Sequence, residues 1–247
     1  EGLVMTSNFA FLKEHFPVLA NFGRLAESYC YSDANSCLMK LGMIGETIIN
    51  MMFAYDKIRL PKDNQAVTKI NILQKEGLLP SDLVAPFHTL RKARNKAAHC
   101  NYDSVEQGKA MLEMTYGICE WFMQTYGDYQ YEHKPFVMPS DVIAEEVTNV
   151  EAEKAAEEKL VGEAIAVAEQ TPAIDKKERI AKAVKFANQR MKSEAETRLL
   201  IDEQLRQVGW EADTVTLRYS KGTRPEKGRN LAIAEWPTNS SSGKRGF

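Results

Sequence analysis

The sequence predicts a mainly α protein: a compact bundle of four to six helices, a long linking helix, and then an incomplete α/β domain. Three observations predict it. Apolar residues recur at helical spacing through the first half. An acidic, alanine-rich stretch follows. Near the C-terminal end the pattern changes to short β-rich runs punctuated by Gly and Pro. The expected segments are 5–138 (bundle), 139–174 (acidic linker) and 175–247 (the third, truncated part), taking Met5 as the natural start.

The charge supports this division. Residues 1–140 carry 15 acidic and 14 basic side chains, residues 141–170 nine and two, and residues 175–247 ten and 16. A change of sign along a chain marks separate modules, and the basic one is the candidate to sit near phosphates. The net charge of −2 does not point the whole chain towards nucleic acid. The 247 residues suit one large domain or two modest ones. Hydrophobic residues at 44% and charged residues at 27% are ordinary for a globular protein. No apolar run approaching about 20 residues is evident, so no membrane partner is expected. The opening "EGLVMTSNFAFLKEHF" lacks the pattern of a secretory leader. The four cysteines, Cys30, Cys37, Cys100 and Cys119, form no C-x-x-C pair and read as reduced thiols. A cytoplasmic location is the expectation.

Within the bundle, two helical pieces precede residue 31. Cys37, Leu41, Ile44, Ile48 and Met52 then make one apolar stripe, which Ser32 or Asp33 is placed to cap. "NQAVTKINILQKEG" stops on Gly77, and "PSDLVAPFHTLRKARNKAAH" starts on Pro80 and Ser81. A second stripe runs through Leu112, Tyr116, Cys119, Met123 and Tyr126, with Trp121, Phe122 and Met123 read as core or docking surface. The acidic stretch is made of strong helix formers and reads as an exposed linking helix ended by Thr171-Pro172. In the third segment, "KSEAETRLLIDEQLRQVGW" is an amphipathic helix with Ala195, Leu199, Ile201, Leu205 and Val208 apolar and Gly209 as its stop. "DTVTLRY" and "LAIAEW" read as a strand hairpin joined by "SKGTRPEKGRN". One helix and two strands do not bury a complete core.

Two parts of the sequence carry a resemblance. "NFAFLKEHFPVLANFGRLAESYCYSDANSCLMKLGMIGE" with "FHTLRKARNKAAH" resembles the HEPN-like helical N-terminal domain of type I restriction enzyme R subunits. "ETRLLIDEQLRQVGWEADT" with "KGRNLAIAEWPT" resembles the start of the PD-(D/E)XK nuclease domain that follows it there. The resemblance implies a parent enzyme that joins a DNA endonuclease to an ATP-driven translocase and works with methyltransferase and specificity subunits. It implies Mg2+ and ATP for the full-length family and no cofactor for this stretch. The metal-binding Asp, the acid-x-Lys pair and the translocase motifs are expected beyond Phe247, and no "GxxxxGK[ST]" phosphate loop is present. Alone, this stretch is expected to be inert on DNA and ATP, with the bundle serving assembly or DNA contact.

The residues with chemistry to offer are few. HEPN ribonucleases carry an Arg and a His four to six residues apart and gather two copies by dimerisation. "RNKAAH" meets that spacing with Arg94, Asn95 and His99, which makes a homodimer and metal-independent RNA cleavage the competing reading. The histidine would serve as base, and the arginine would hold the developing phosphorane charge. Five residues turn a helix by about 140°, so the pair converges only if the helix ends or distorts near His99. In the restriction subunits the stretch resembles R-x-x-G-N-x-A-x-H, which Arg91, Asn95 and His99 match and Arg94 does not. A scaffold role is the preferred reading, a non-catalytic interaction module being a further one. Glu196 is either an auxiliary nuclease acid or a solvated carboxylate paired along its helix with Lys192. Lys221, Arg224, Lys227 and Arg229 crowd one turn and are candidates for DNA phosphates. His15, His88 and His133 read as isolated surface or packing residues, and no metal site is expected.

Overall fold

The computed structural model describes residues 7–100, 104–140 and 150–237, with only the backbone of residues 100 and 150–153. The chain divides into two compact units, residues 1–191 and 192–247.

In the first unit a 3-10 helix (Asn8–Leu12) leads into α1 (Pro17–Tyr29), which starts on a proline whose missing N–H costs nothing there. Asp33 caps α2 (Ala34–Tyr55) by accepting from the Ser36 N–H. α3 (Ala66–Lys75) is closed by Gly77 at φ +77°, a left-handed turn that favours glycine. α4 spans Ser81–Cys100, and α5 (Val105–Tyr126) is capped by Ser104. The two predicted stripes are core throughout: every residue named in them is buried. Trp121, Phe122 and Met123 are buried too, so this part of α5 is core and not a docking surface.

The expectation that α2 falls short of membrane-spanning composition is corrected. Its 22 residues, with a window of mean hydropathy 1.3, are long and apolar enough by composition, but 72% of that window is buried among the other helices. Its apolarity is used in the core.

The linking helix is exposed over most of its described residues, as expected, but α6 (Val150–Gln170) also packs along α2 and α1. Lys40 on α2 pairs with Glu157, which is buried. Lys57 donates to the carbonyls of Ala168 (3.1 Å) and Glu169 (2.6 Å), placing a cation at the negative end of the α6 dipole. α7 (Lys176–Gln189) lies on α5 and belongs to the first unit, although the change of charge sign places residue 175 onward in the third segment. A buried network holds it there. Arg179 donates from Nε to Asp56 (3.1 Å) and from its terminal nitrogen to the Thr125 carbonyl. Tyr126 donates its hydroxyl to the other Asp56 oxygen (2.6 Å) and lies under the guanidinium at 4.0 Å. The Trp121 ring N–H donates to the Ala183 carbonyl (3.0 Å).

A segment with no regular structure, residues 128–137, is strapped to the bundle by a second hub. The buried Glu120 carboxylate accepts from the Tyr116 hydroxyl (3.0 Å), the Tyr131 hydroxyl (3.2 Å) and the Lys134 N–H (3.0 Å), with His133 Nδ1 at 2.7 Å. His133 is therefore not isolated. Farther along, Asn8 exchanges two hydrogen bonds with the Val137 backbone.

The second unit begins with α8 (Glu194–Gln207), capped by Ser193 and stopped by Gly209 at φ +87°. Its apolar face is narrower than predicted. Leu199 is buried, but Ile201 is 43% and Val208 73% exposed. Ile201 stands two places from Leu199 and so projects from another side of the helix. The predicted hairpin is replaced by two short parallel strands, β1 (Glu211–Ala212) and β2 (Leu231–Ala232), with Glu211 opposite Leu231. "DTVTLRY" turns instead of extending. Asp202 accepts from both the backbone N–H and the hydroxyl of Thr214 (2.6 Å each), and Asp213 accepts from the N–H groups of Val215 (2.9 Å) and Thr216 (3.1 Å). These local bonds outcompete a strand ladder.

Arg179→Ala strips the partner from a buried carboxylate and should cost about 3–5 kcal/mol, read as a lower urea midpoint. The Arg179→Ala/Asp56→Ala pair should lose less than the sum of the single changes. Burial, against the Tyr116 bond and ahead of the Glu120 charge, pushes the Tyr131 hydroxyl up to about 12. A raised phenol pKa means the folded state keeps its proton where the unfolded chain loses it. Stability should therefore be unaffected below pH ~10 and fall as pH rises from ~10 towards 12. In Tyr131→Phe, melting curves should lose that part of the alkaline slope.

Candidate functional site

α4 carries Arg91, Arg94, Asn95 and His99. Arg94 faces α2, where Gly42 leaves the room: a Cβ on Gly42 would lie 2.3 Å from the Arg94 Cβ. One turn further along α2, Glu46 takes the Arg94 guanidinium in an ion pair. Burial against α2 pulls the Arg94 pKa down from its ordinary value. Asn95 and His99 lie on the exposed side of α4. The helix continues without a break through His99 to Cys100. The distortion that would bring Arg94 and His99 together is therefore not made, and the two project about 140° apart. Within one chain they form no common site. Asn95 and His99, one turn apart, share a face.

The Arg94–Glu46 pair stands between two clefts. One, of about 300 Å³, lies between α2, the first turn of α3 and α4, and is lined by Arg91, Arg94 and Asn95 among others. The other, of about 620 Å³, lies between α2 and α6, with Met39, Met43 and Val161 on its walls. Sequence reading missed Glu46. The only signal for it was its spacing of four from Gly42, which carries no meaning until α4 is known to cross there.

In the second unit, Glu196 is 2% exposed, which rules out a solvated carboxylate; its N–H is bonded to the Ser193 cap (3.0 Å). The basic turn is less free than its composition suggests. Arg229 pairs with Glu211 and, at 2.7 Å, with Glu226. Arg224 lies over the Tyr219 ring at 3.8 Å and donates to the Tyr219 carbonyl (3.0 Å). Lys221 and Lys227 are exposed. Among the described residues no group of three or more His, Cys, Asp or Glu is placed to hold a metal.

The family described as "Domain of unknown function (DUF4145)" matches residues 24–159, more than half of the chain. The chain belongs to that family. Its DUF4145 part runs from α1 into α6 and so contains α4, the smaller cleft and the Glu120 hub, and all of the larger cleft's named walls but Val161. A second family, "Type I restriction enzyme EcoKI endonuclease subunit second domain", matches residues 211–246. The chain is also 27% identical, over 98% of its own length, to the Type I restriction enzyme EcoKI endonuclease subunit of Escherichia coli (strain K12). It spans 25% of the length of that relative. No solved structure matches it. The DUF4145 match precedes the restriction-subunit match along the chain, and the relative aligned over nearly all of it is a type I restriction enzyme endonuclease subunit.

Gly42→Ala should separate α2 from α4 and cost about 1–3 kcal/mol, the range for overpacking a well-filled contact. A melting temperature equal to that of the parent chain would show that the two helices do not meet at Arg94.

Proposed function

We propose that this chain works as part of a type I restriction endonuclease subunit, with the DUF4145 bundle docking on other subunits of the complex and the second unit opening the nuclease domain. The observation that carries this reading is the match of both halves, in order, to a restriction enzyme endonuclease subunit. The near-neutral charge of residues 1–140 favours a protein partner for the bundle over DNA. The excess of basic residues after 175 gives the second unit the DNA-facing role, with Lys221, Arg224 and Lys227 on phosphates. Arg229, held by two carboxylates, contributes little there. The methyltransferase and specificity subunits are the partners, and the cytoplasm is the location.

Mg2+ and ATP belong to the proposed full subunit. The described residues do not supply a ligand set for the metal, so no chemical step is assigned to them. Glu196, buried at the start of α8, is a candidate auxiliary acid once further carboxylates join it. RNA cleavage by Arg94 and His99 is the weaker reading, because Glu46 holds Arg94 and the intact helix holds His99 away from it.

Two experiments on the whole chain separate these readings. Co-expression with the methyltransferase and specificity subunits of the same system should give a complex that co-elutes by size. A chain that elutes alone at micromolar concentration counts against docking. Metal-free incubation with single-stranded RNA should give no cleavage. Cleavage that disappears in His99→Ala would replace the restriction reading of the bundle with a ribonuclease.

A further inference from the structure

An exposed tryptophan stands among cations in the second unit. Trp236 leaves 39% of its surface open, although it meets the Tyr219 ring edge to face at 5.1 Å. A T-shaped contact uses one face of one ring and an edge of the other, so Trp236 keeps at least one face. The backbone around the indole is fixed. The Ala234 N–H donates to the Leu217 carbonyl (2.8 Å) and the Tyr219 N–H to the Ala234 carbonyl (3.0 Å). These bonds tie the segment before Trp236 to the one that carries Tyr219. Glu235 then takes a left-handed conformation, φ +57°, which is uncommon for a residue other than glycine. Arg218 (3.4 Å) and Arg198 (3.7 Å) hold its carboxylate. Pro237 restricts the backbone of Trp236 from the other side. Strain kept beside an exposed aromatic side chain points to a function for that side chain.

The neighbours show which partner the ring suits. Residues 218–229 carry five basic side chains against one acidic, Glu226. Arg224 lies over the Tyr219 ring at 3.8 Å, and Lys221 and Lys227 are exposed. A protein-docking face would surround the indole with further apolar side chains. A cationic rim suits a polyanion whose own rings stack, which is a nucleic acid. In a duplex the bases cover each other's faces and show only edges in the grooves, so an indole face meets a base only outside the stack. We infer that Trp236 is a stacking platform for an unpaired DNA base, with Lys221, Arg224 and Lys227 on the adjoining phosphates. The inference rests on the proposed DNA-facing role of the second unit. It adds contact with a base, where that role needs only phosphates.

The test is fluorescence anisotropy of the whole chain with three labelled probes at one salt concentration: oligothymidine, an abasic oligomer of the same length, and a duplex. The abasic oligomer keeps the phosphates and lacks the bases. Its comparison with oligothymidine therefore isolates stacking in the parent chain, whether or not a variant folds. Oligothymidine should bind about fivefold to a hundredfold more tightly, the range for one base stacked on an aromatic side chain. Trp236→Ala should remove that difference, and Trp236→Phe, which keeps an aromatic face, should restore part of it. Neither should change duplex binding. Lys221→Ala should instead weaken all the probes alike. Equal binding of oligothymidine and the abasic oligomer overturns the stacking inference, while duplex binding preserves the DNA-facing role. A preference for oligothymidine that persists in Trp236→Ala also overturns it, because another residue then holds the base. No binding of any probe at micromolar concentration overturns both.

Discussion

The buried pair of Arg179 and Asp56 is the interaction on which the arrangement of the first unit depends. Two charges with side chains 6% and 7% exposed have left water, and they are tolerated because their other valences are filled. Tyr126 occupies the second carboxylate oxygen, the Thr125 carbonyl takes a guanidinium N–H, and the aromatic face of Tyr126 covers the cation. The pair joins the end of α2 to α7, far apart in sequence, with the end of α5 between them. Through it a helix that follows the family's matched stretch becomes part of the same body. Lys57, next in sequence to Asp56, ties down the end of α6 in the same region.

The same physics explains why "RNKAAH" is not a working pair in one chain. An arginine meeting a glycine on the neighbouring helix goes inward, and a glutamate one turn on supplies its counter-charge. The exposed histidine stays on the outer side because nothing interrupts the helix before Cys100. The motif thus contains one inward residue and one outward one. What sits beside the inward residue is a cleft also lined by Arg91, whose buried Nε has no partner among the described residues.

In the second unit, aspartates decide what β-propensity alone does not. Thr, Val, Thr and Leu after Asp213 read as a strand, yet Asp202 and Asp213 claim four backbone or hydroxyl donors in that run. With the run folded into a turn, residues 211–212 pair instead with 231–232, in parallel. Parallel pairing needs a longer connection than a hairpin turn. The basic loop supplies it, and part of its charge is neutralised on the way by Glu211 and Glu226.

Sequence alone determined most of the helices, because helix formation is local: the spacing of Cys37 to Met52 and of Leu112 to Tyr126, Asp33 as a cap, Gly77 and Gly209 as stops. It also carried the resemblance to type I R subunits, since long stretches of matching residue types survive where geometry is not yet known. Tertiary structure alone decided which polar residues are engaged. Glu120 among two tyrosines and a histidine, Glu46 opposite Arg94, Asp56 beneath Arg179 and Glu157 beside Lys40 have no signature along the chain. Their partners are brought by other helices, and a carboxylate destined for burial looks the same in sequence as one facing water. The placement of α6 and α7 was hidden for the same reason. Both are rich in charge, and only the bundle's own buried counter-charges make that charge compatible with packing.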